Sequence, residues 1–336
     1  MTESSSTVRW AIVGTGFISN TVVEAIRACA GSRVELVAGR DGDRVATFAA
    51  QHDIARTVVG YDQAVTDPEI DVVYVGTPNH AHHEVVAAAA AAGKAVLSEK
   101  SLTTTMATAH QLADAVRDRV LFVEGLMYLA HPVIARFVEL LADERTGTVT
   151  AVHARYAADI AAVVNPLGRG TIYNLGCYPA SLLHLTIQSA FGEDAFGRRS
   201  MAAHGTLTPD DTIGSTTASI RFDNGVLATL ASTDDYGMAY DATILTTTGE
   251  LRFVTNPWLP AAGDNILRWT PYDGEPETIT VAADADAFLH QTRLVERCLA
   301  AGLTEAPRPS PRLRDSLEIM ELLTEWESRC LSAVSS

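Results

Sequence analysis

The stretch that most constrains this chain is Val8–Val13 followed by Gly14-Thr15-Gly16-Phe17-Ile18-Ser19. The mostly apolar run reads as a buried strand, and the glycines open into a helical pattern that continues to Ala28. Gly14 permits a tight turn, Gly16 lets the backbone approach a pyrophosphate at a helix N-terminus, and Ser19 holds the third small position. Such turns also occur for purely structural reasons. The placement between a strand and a helix points this one to a dinucleotide.

A second strand, residues 33–38, ends in Gly39-Arg40-Asp41. A carboxylate at such an end accepts from the ribose hydroxyls of NAD, whereas an arginine suits the 2′-phosphate of NADP. Arg40, with Arg44 one helical turn beyond, predicts NADP(H) as the preferred cofactor over NAD(H). Asp41 argues the other way unless it caps the next helix. A third strand, residues 71–75, stops before Thr77-Pro78-Asn79-His80-Ala81-His82, because the residue before a proline avoids the helical region. Asn79 is expected to cap the helix through Ala92, and Gly93 to end it. His80, His82 and His83 lack a carboxylate or cysteine partner at ligand spacing, so no metal site is read there.

The next strand is Ala95-Val96-Leu97-Ser98-Glu99, followed by Lys100-Ser101. Parallel strands are buried on both faces, and ligands of open α/β sheets bind outside their carboxyl ends. A lysine there is a candidate general acid or base; the competing reading is a surface ion pair with Glu99. A helix over residues 105–117, a strand over 120–124 and a helix over Pro132–Leu141 complete the outline of a doubly wound parallel sheet.

With 336 residues, two domains are expected. Lys and Arg number 25 and Asp and Glu 41, a net charge of -16 that disfavours nucleic acid and anionic membrane surfaces. Cys29, Cys177, Cys298 and Cys330 are too far apart for zinc spacing and read as reduced thiols. The start lacks the basic and apolar regions of a signal peptide, and the apolar residues 85–92 are too short to span a bilayer. A cytoplasmic protein is the expectation.

Gly14-Thr15-Gly16-Phe17-Ile18-Ser19, Thr77-Pro78-Asn79-His80-Ala81-His82 and Ser98-Glu99-Lys100-Ser101, in this order, resemble the glucose–fructose oxidoreductase / inositol dehydrogenase / rhizopine catabolism (Gfo/Idh/MocA) family. The resemblance covers most of the chain, strongest in the first 132 residues. It implies an N-terminal Rossmann domain, residues 1–125, and a C-terminal α+β domain, residues 126–336, with a large open, mostly antiparallel sheet and C-terminal helices able to pack back on the first domain. It implies cofactor contacts from Gly14, Thr15, Gly16, Phe17, Ile18, Arg40, Arg44, Thr77, Pro78, Asn79, His82, Glu99 and Lys100. It also assigns proton transfer at the substrate oxygen to Lys100. Glu124-Gly125-Leu126-Met127-Tyr128 resembles the family's segment at the domain junction, with Tyr128 toward substrate. The chain departs from the family in Ser101 for proline, which leaves the adjoining backbone less restrained, and in Leu129 for an arginine frequent in some branches.

In the second half, residues 150–157 alternate as a strand. Thr171-Ile172-Tyr173-Asn174-Leu175-Gly176-Cys177-Tyr178 leads into a helix to Gln188, where Asn174 and Tyr178, four apart, would share one face. Inositol dehydrogenase-like members tend to carry Asp and His at these positions. Tyrosine at the second is common in the dihydrodiol dehydrogenase and sugar 3-ketoreductase branches, which this chain resembles more. Asn174 and Tyr178 are thus candidate substrate contacts, with Tyr178 the partner of Lys100. Strands over 215–222 and 226–232 flank the hairpin signal Asp223-Asn224-Gly225. Strands over 240–248, 251–255 and 277–281 and helices over 285–301 and 311–329 follow. This sheet is expected to expose apolar area that joins copies into a dimer or tetramer.

The reading as a whole is an NADP(H)-preferring oxidoreductase acting on a carbohydrate-like small molecule: a sugar, cyclic polyol or related diol or keto compound. Its rivals are a nucleotide-linked keto-sugar reductase and an NADP-bound sensor without turnover.

Overall fold

Strand β1 (Val8–Val13) runs into α1 (Phe17–Ala28), then β2 (Ser32–Gly39), α2 (Gly42–Gln51), β3 (Arg56–Val59), α3 (Asp62–Thr66), β4 (Val72–Val75), α4 (His82–Ala91), β5 (Ala95–Glu99), α5 (Met106–Val116) and β6 (Phe122–Gly125). The structure is a computed structural model and describes residues 7–334. The six strands pair in parallel in the order β3-β2-β1-β4-β5-β6. The order reverses between β1 and β4, which is where sheets of this kind open a ligand crevice. Every residue of β4 and β5 is buried, as strands covered on both faces require. The edge strand β3 alternates half-buried and exposed residues and is only four residues long, too short a signal to stand out in the sequence.

By compactness the chain divides into a first unit, Met1–Met127 with Phe288–Leu317, and a second, Tyr128–Ala287 with Glu318–Ser336. The second unit contains α6 (Pro132–Leu141), β7 (Val149–Ala158), α7 (Thr171–Asn174), α8 (Cys177–Phe191), β8 (Arg199–Leu207), β9 (Ile213–Phe222), β10 (Leu227–Thr233), β11 (Met238–Thr246), β12 (Gly249–Phe253), β13 (Gly263–Pro271) and β14 (Glu277–Ala283). The first unit takes most of α9 (Ala287–Ala300) and the first turn of α10 (Leu313–Val334).

The second unit's eight strands form one open sheet, ordered β14-β13-β12-β11-β7-β10-β9-β8, with only β10 and β7 parallel. Gly225 turns the β9–β10 hairpin, its N–H donating to Phe222 O at 3.0 Å. Inward positions are apolar and buried: Met201, Ala203, Ala218, Ile220, Phe222, Ala228 and Leu230. Twelve consecutive residues of α8, Cys177 to Gln188, are buried. The open face does not match the apolar expectation. A hollow of about 760 Å³ on it is lined by His153, Arg155, Thr217, Ser219, Thr229 and Asp241 among others, because the alternation puts small and polar side chains on the outer positions. All four cysteines are buried free thiols. Among the described residues, no helix is long and apolar enough to cross a membrane.

Candidate active site

In the first unit the carboxyl ends of β1, β2, β4 and β5 carry the expected cofactor residues. Gly14 has φ +113°, and a Cβ there would sit 2.5 Å from Gly76 O, so only glycine fits. Gly16 is the N-cap of α1, in extended conformation, and offers no capping side chain. The first N–H groups of a twelve-residue helix are therefore left for a ligand. Phe17 is exposed, and Thr15 and Ile18 are half-buried. Arg40 stands exposed after β2, and the Arg44 guanidinium donates to Thr15 O at 3.3 Å. Asp41 caps α2, accepting from Asp43 N at 3.0 Å and Arg44 N at 3.1 Å. With its carboxylate so engaged, the strand end presents cations. Thr77 Oγ1 is buried without a hydrogen-bond partner. The glycine cradle, the uncapped helix, the basic strand end and the unpartnered hydroxyl together fit a nicotinamide dinucleotide.

Thr77 and Pro78 lead into a 3-10 turn, Asn79–Ala81. Asn79 does not cap α4, whose N-cap is Ala81 without a side-chain bond. The intervening turn displaces Asn79, and its amide reaches Ser101 Oγ at 3.4 Å instead. His82 is buried, with Nε2 2.9 Å from Thr77 O and Nδ1 3.1 Å from Ser101 O. Burial holds its pKa down to about 4, although the surrounding carbonyls pull the other way. The neutral ring carries one N–H and so donates to only one of these carbonyls; it is packed between the loop after β4 and the loop after β5.

Lys100 is half-buried, directly after β5, and its peptide bond to Ser101 is cis. Glu99 is buried and accepts from Tyr74 OH at 3.1 Å, so its carboxylate is not part of a surface ion pair. Burial raises the Glu99 pKa, while the Lys100 charge and the Tyr74 hydrogen bond oppose the rise.

In the second unit, Tyr178 is 5% exposed and sits in a cluster of four aromatic rings. Its centroid lies 5.3 Å from Tyr156, 5.8 Å from Tyr128 and 6.2 Å from Trp258. Trp258 is anchored by its indole N–H to Arg155 O at 2.9 Å. Tyr128, read from the sequence as a substrate contact, is fully buried. Its hydroxyl lies 2.8 Å from Ser181 Oγ and donates to Tyr178 O at 3.2 Å, which makes it a support for the start of α8. Asn174 and Tyr178 do not share the face of one helix. Thr171 O accepts from both Leu175 N and Gly176 N, closing α7 before α8 begins at Cys177. The Asn174 amide donates to the buried Asp234 at 3.3 Å. Tyr156, Trp258 and Asp234 were not singled out from the sequence; the first two join the rings, and Asp234 meets Asn174, only through contacts distant along the chain.

The model for an oxidoreductase family with an NAD-binding Rossmann fold matches residues 8–124, and that for the GFO/IDH/MocA C-terminal domain matches residues 134–252. Trans-1,2-dihydrobenzene-1,2-diol dehydrogenase of Xenopus laevis is 28% identical over 328 residues, 94% of this chain and 96% of the relative. An uncharacterised oxidoreductase of Rhizobium meliloti is 31% identical over 267 residues, 77% of each chain. A 3-ketoreductase from Actinomadura kijaniata, solved with NADP and TDP-benzene, has a TM-score of 0.83 at 23% identity, covering 96% of this chain and 98% of that one. Levoglucosan dehydrogenase, solved with NADH and levoglucosan, has a TM-score of 0.79 at 18% identity over 96% and 98%. These structures share the fold. Matched in order along both halves by the two family models, the chain belongs to the Gfo/Idh/MocA family of oxidoreductases.

Proposed function

We propose that this protein transfers a hydride between NADP(H) and a hydroxyl-bearing or carbonyl carbon of a sugar, cyclic polyol or related diol. The observation that carries the reading is the placement of Lys100: half-buried at the carboxyl end of β5, next to the Ser101 that Asn79 and His82 hold. When bound, the nicotinamide supplies or accepts the hydride. Lys100 takes the hydroxyl proton in the oxidative direction and returns it to the carbonyl oxygen in the reductive one. Tyr178, its ring fixed by Tyr128, Tyr156 and Trp258, orients the reacting oxygen, and Asn174, held by Asp234, contacts substrate. Glu99, Thr77, Pro78, Asn79 and His82 shape the nicotinamide end, His82 by positioning its neighbours.

The preference for NADP(H) rests on Arg40 and Arg44 at a strand end whose one carboxylate, Asp41, already accepts two N–H groups. The substrate class rests on the relatives, which are named for a dihydrodiol, a 3-keto function and an anhydrosugar.

The test begins with a screen of sugars, polyols and diols, and the matching carbonyl compounds, with both cofactors. On a substrate so found, Lys100→Met should lower kcat/KM by roughly 10²- to 10⁴-fold while NADPH still binds. Tyr178→Phe should lose less, since only an orienting hydroxyl is removed. Near-wild-type turnover by Lys100→Met refutes the mechanism. Enhanced NADPH fluorescence without turnover across the panel would favour a nucleotide-bound sensor.

A further inference from the structure

One ring of the aromatic cluster in the second unit is unlike its neighbours. Trp258 and Tyr128 are fully buried and Tyr178 nearly so, whereas Tyr156 is half-buried. The strand register shows why. On the inner face of the sheet, β7 and β11 pair Val152 with Ile244, Ala154 with Ala242 and Tyr156 with Tyr240. The first two pairs are buried, but Tyr240 is 42% exposed. The cover over this face therefore ends at Tyr156, and the face opens beside it.

The Tyr156 hydroxyl is also unengaged. The more deeply buried Tyr128 and Tyr173 place their hydroxyls 2.8 Å from Ser181 Oγ and 2.9 Å from Glu327 Oε2. Buried tyrosines ordinarily find such partners. Among the described residues none bonds the Tyr156 hydroxyl, and that atom is not sealed from solvent. Ser232, the register partner of Tyr156 on β10, is already occupied: its hydroxyl lies 2.7 Å from Thr171 Oγ1 and donates to Thr171 O at 3.1 Å. Thr171 opens α7, and Asp234, two residues beyond Ser232, holds Asn174 at the other end of that helix. The ring itself is fixed, nearly perpendicular to Tyr178 at 5.3 Å and stacked on Trp258 at 6.1 Å. Burial raises the Tyr156 pKa, so the phenol stays protonated and able to donate.

We propose that Tyr156 is a specificity-determining substrate contact, its hydroxyl bonding a non-reacting hydroxyl of a sugar or cyclic polyol whose reacting oxygen lies at Tyr178. Because the ring is already held, making this contact costs little side-chain entropy. A diol with an otherwise apolar ring would leave the phenol unpaired and bind more weakly. The proposal rests on the function proposed above for the place of the reacting oxygen, and narrows its substrate class to polyhydroxylated compounds.

The test compares wild type and Tyr156→Phe, which keeps the ring and breaks no hydrogen bond within the protein, so the unfolding midpoint should not move. On a substrate found by the screen, the variant should raise KM by about five- to tenfold with kcat nearly unchanged, the mark of a contact made equally in ground and transition states. A series of analogues, each lacking one non-reacting hydroxyl, then locates the contact. One analogue should lose about the same factor with the wild type and nothing further with Tyr156→Phe, as interacting partners do in a double-mutant cycle. An unchanged KM, or equal further losses on every analogue, overturns the proposal. If no compound turns over, calorimetric affinity for the NADP-loaded chain replaces KM, and no preference for hydroxylated over deoxy ligands overturns it equally. Turnover retained by Lys100→Met would instead remove the lysine mechanism and leave the Tyr156→Phe effect on KM in place, so the two failures are distinguishable.

Discussion

Gly14 and Gly16 stand two residues apart in one loop, yet alanine should act on them in opposite ways. At Gly14 the backbone has φ +113°, and an added Cβ would lie 2.5 Å from Gly76 O, 2.7 Å from Gly76 C and 3.0 Å from Thr77 N. All three are backbone atoms at the start of the loop after β4, so no side chain can rotate away. A residue with a Cβ held at such a φ costs about 1–3 kcal/mol, and forced overpacking about 1–3 more. Gly14→Ala should therefore destabilise the protein by about 2–6 kcal/mol and abolish cofactor binding as a consequence. At Gly16 the backbone is extended, φ -79° and ψ 175°, and the nearest atom to an added Cβ is Gly76 O at 3.9 Å. Gly16→Ala should change stability by less than about 1 kcal/mol, since alanine adopts this conformation freely. Its methyl group would stand where the pyrophosphate approaches the helix end, so NADPH affinity should fall by at least about tenfold. Denaturant unfolding and NADPH fluorescence titration on both variants decide the matter. Equal destabilisation by the two substitutions, or wild-type affinity in Gly16→Ala, would show that the loop does not divide its work in this way.

Arg40→Ala should weaken NADPH by roughly 10- to 100-fold, the upper end requiring that the contact be desolvated, and barely change NADH; equal losses measured by titration exclude a role in reading the 2′-phosphate. The Glu124 carboxyl, buried on β6 and thereby raised from 4.5 to about 7, binds more protons in the folded than in the unfolded state between those values. Stability should therefore decline as pH rises from about 4.5 to about 7, by an amount on the order of 3 kcal/mol from this group. Glu124→Gln should flatten that part of the profile in thermal unfolding, and an unchanged slope would contradict it. Self-association through the open sheet should yield a dimer or tetramer by light scattering. Because the face carries His153, Arg155 and Asp241, added salt should weaken the assembly more than it would an apolar interface; a monomer at micromolar concentration refutes it.

The first half of the fold was legible because its signals are local. The strand Val8–Val13 and the helix Pro132–Leu141 have the expected limits, and Asp41 caps α2 as its position allowed. A buried parallel strand declares itself by an apolar run, and a proline or a glycine marks its end. The features that escaped depend on contacts distant in sequence. Tyr156 and Trp258 stack at 6.1 Å across about a hundred residues, a pairing no spacing rule contains. The break between α7 and α8 escaped because the apolar pattern runs through it unbroken, so Asn174 and Tyr178 looked like neighbours on one turn. The polar character of the open face is legible in the alternating Thr217, Ser219 and Thr229 once outward positions are weighed apart from inward ones. Glu124 looked like one more strand residue; its burial becomes visible only when β5 and β6 are in register.

Asp234 holds two things by different means. Its side chain fixes Asn174, while its backbone oxygen accepts from Ile160 N at 2.9 Å and Ala161 N at 3.0 Å, at the start of the loop that precedes α7. Amide groups are common to every residue but proline, so this anchor is nearly indifferent to which side chains the loop carries. Val163, 82% exposed, and Leu167, 64% exposed, lie in that loop with little packing to constrain them. Related chains can therefore diverge at these positions without disturbing Asn174, and a laboratory library confined to them would vary the surface while leaving the anchored scaffold intact.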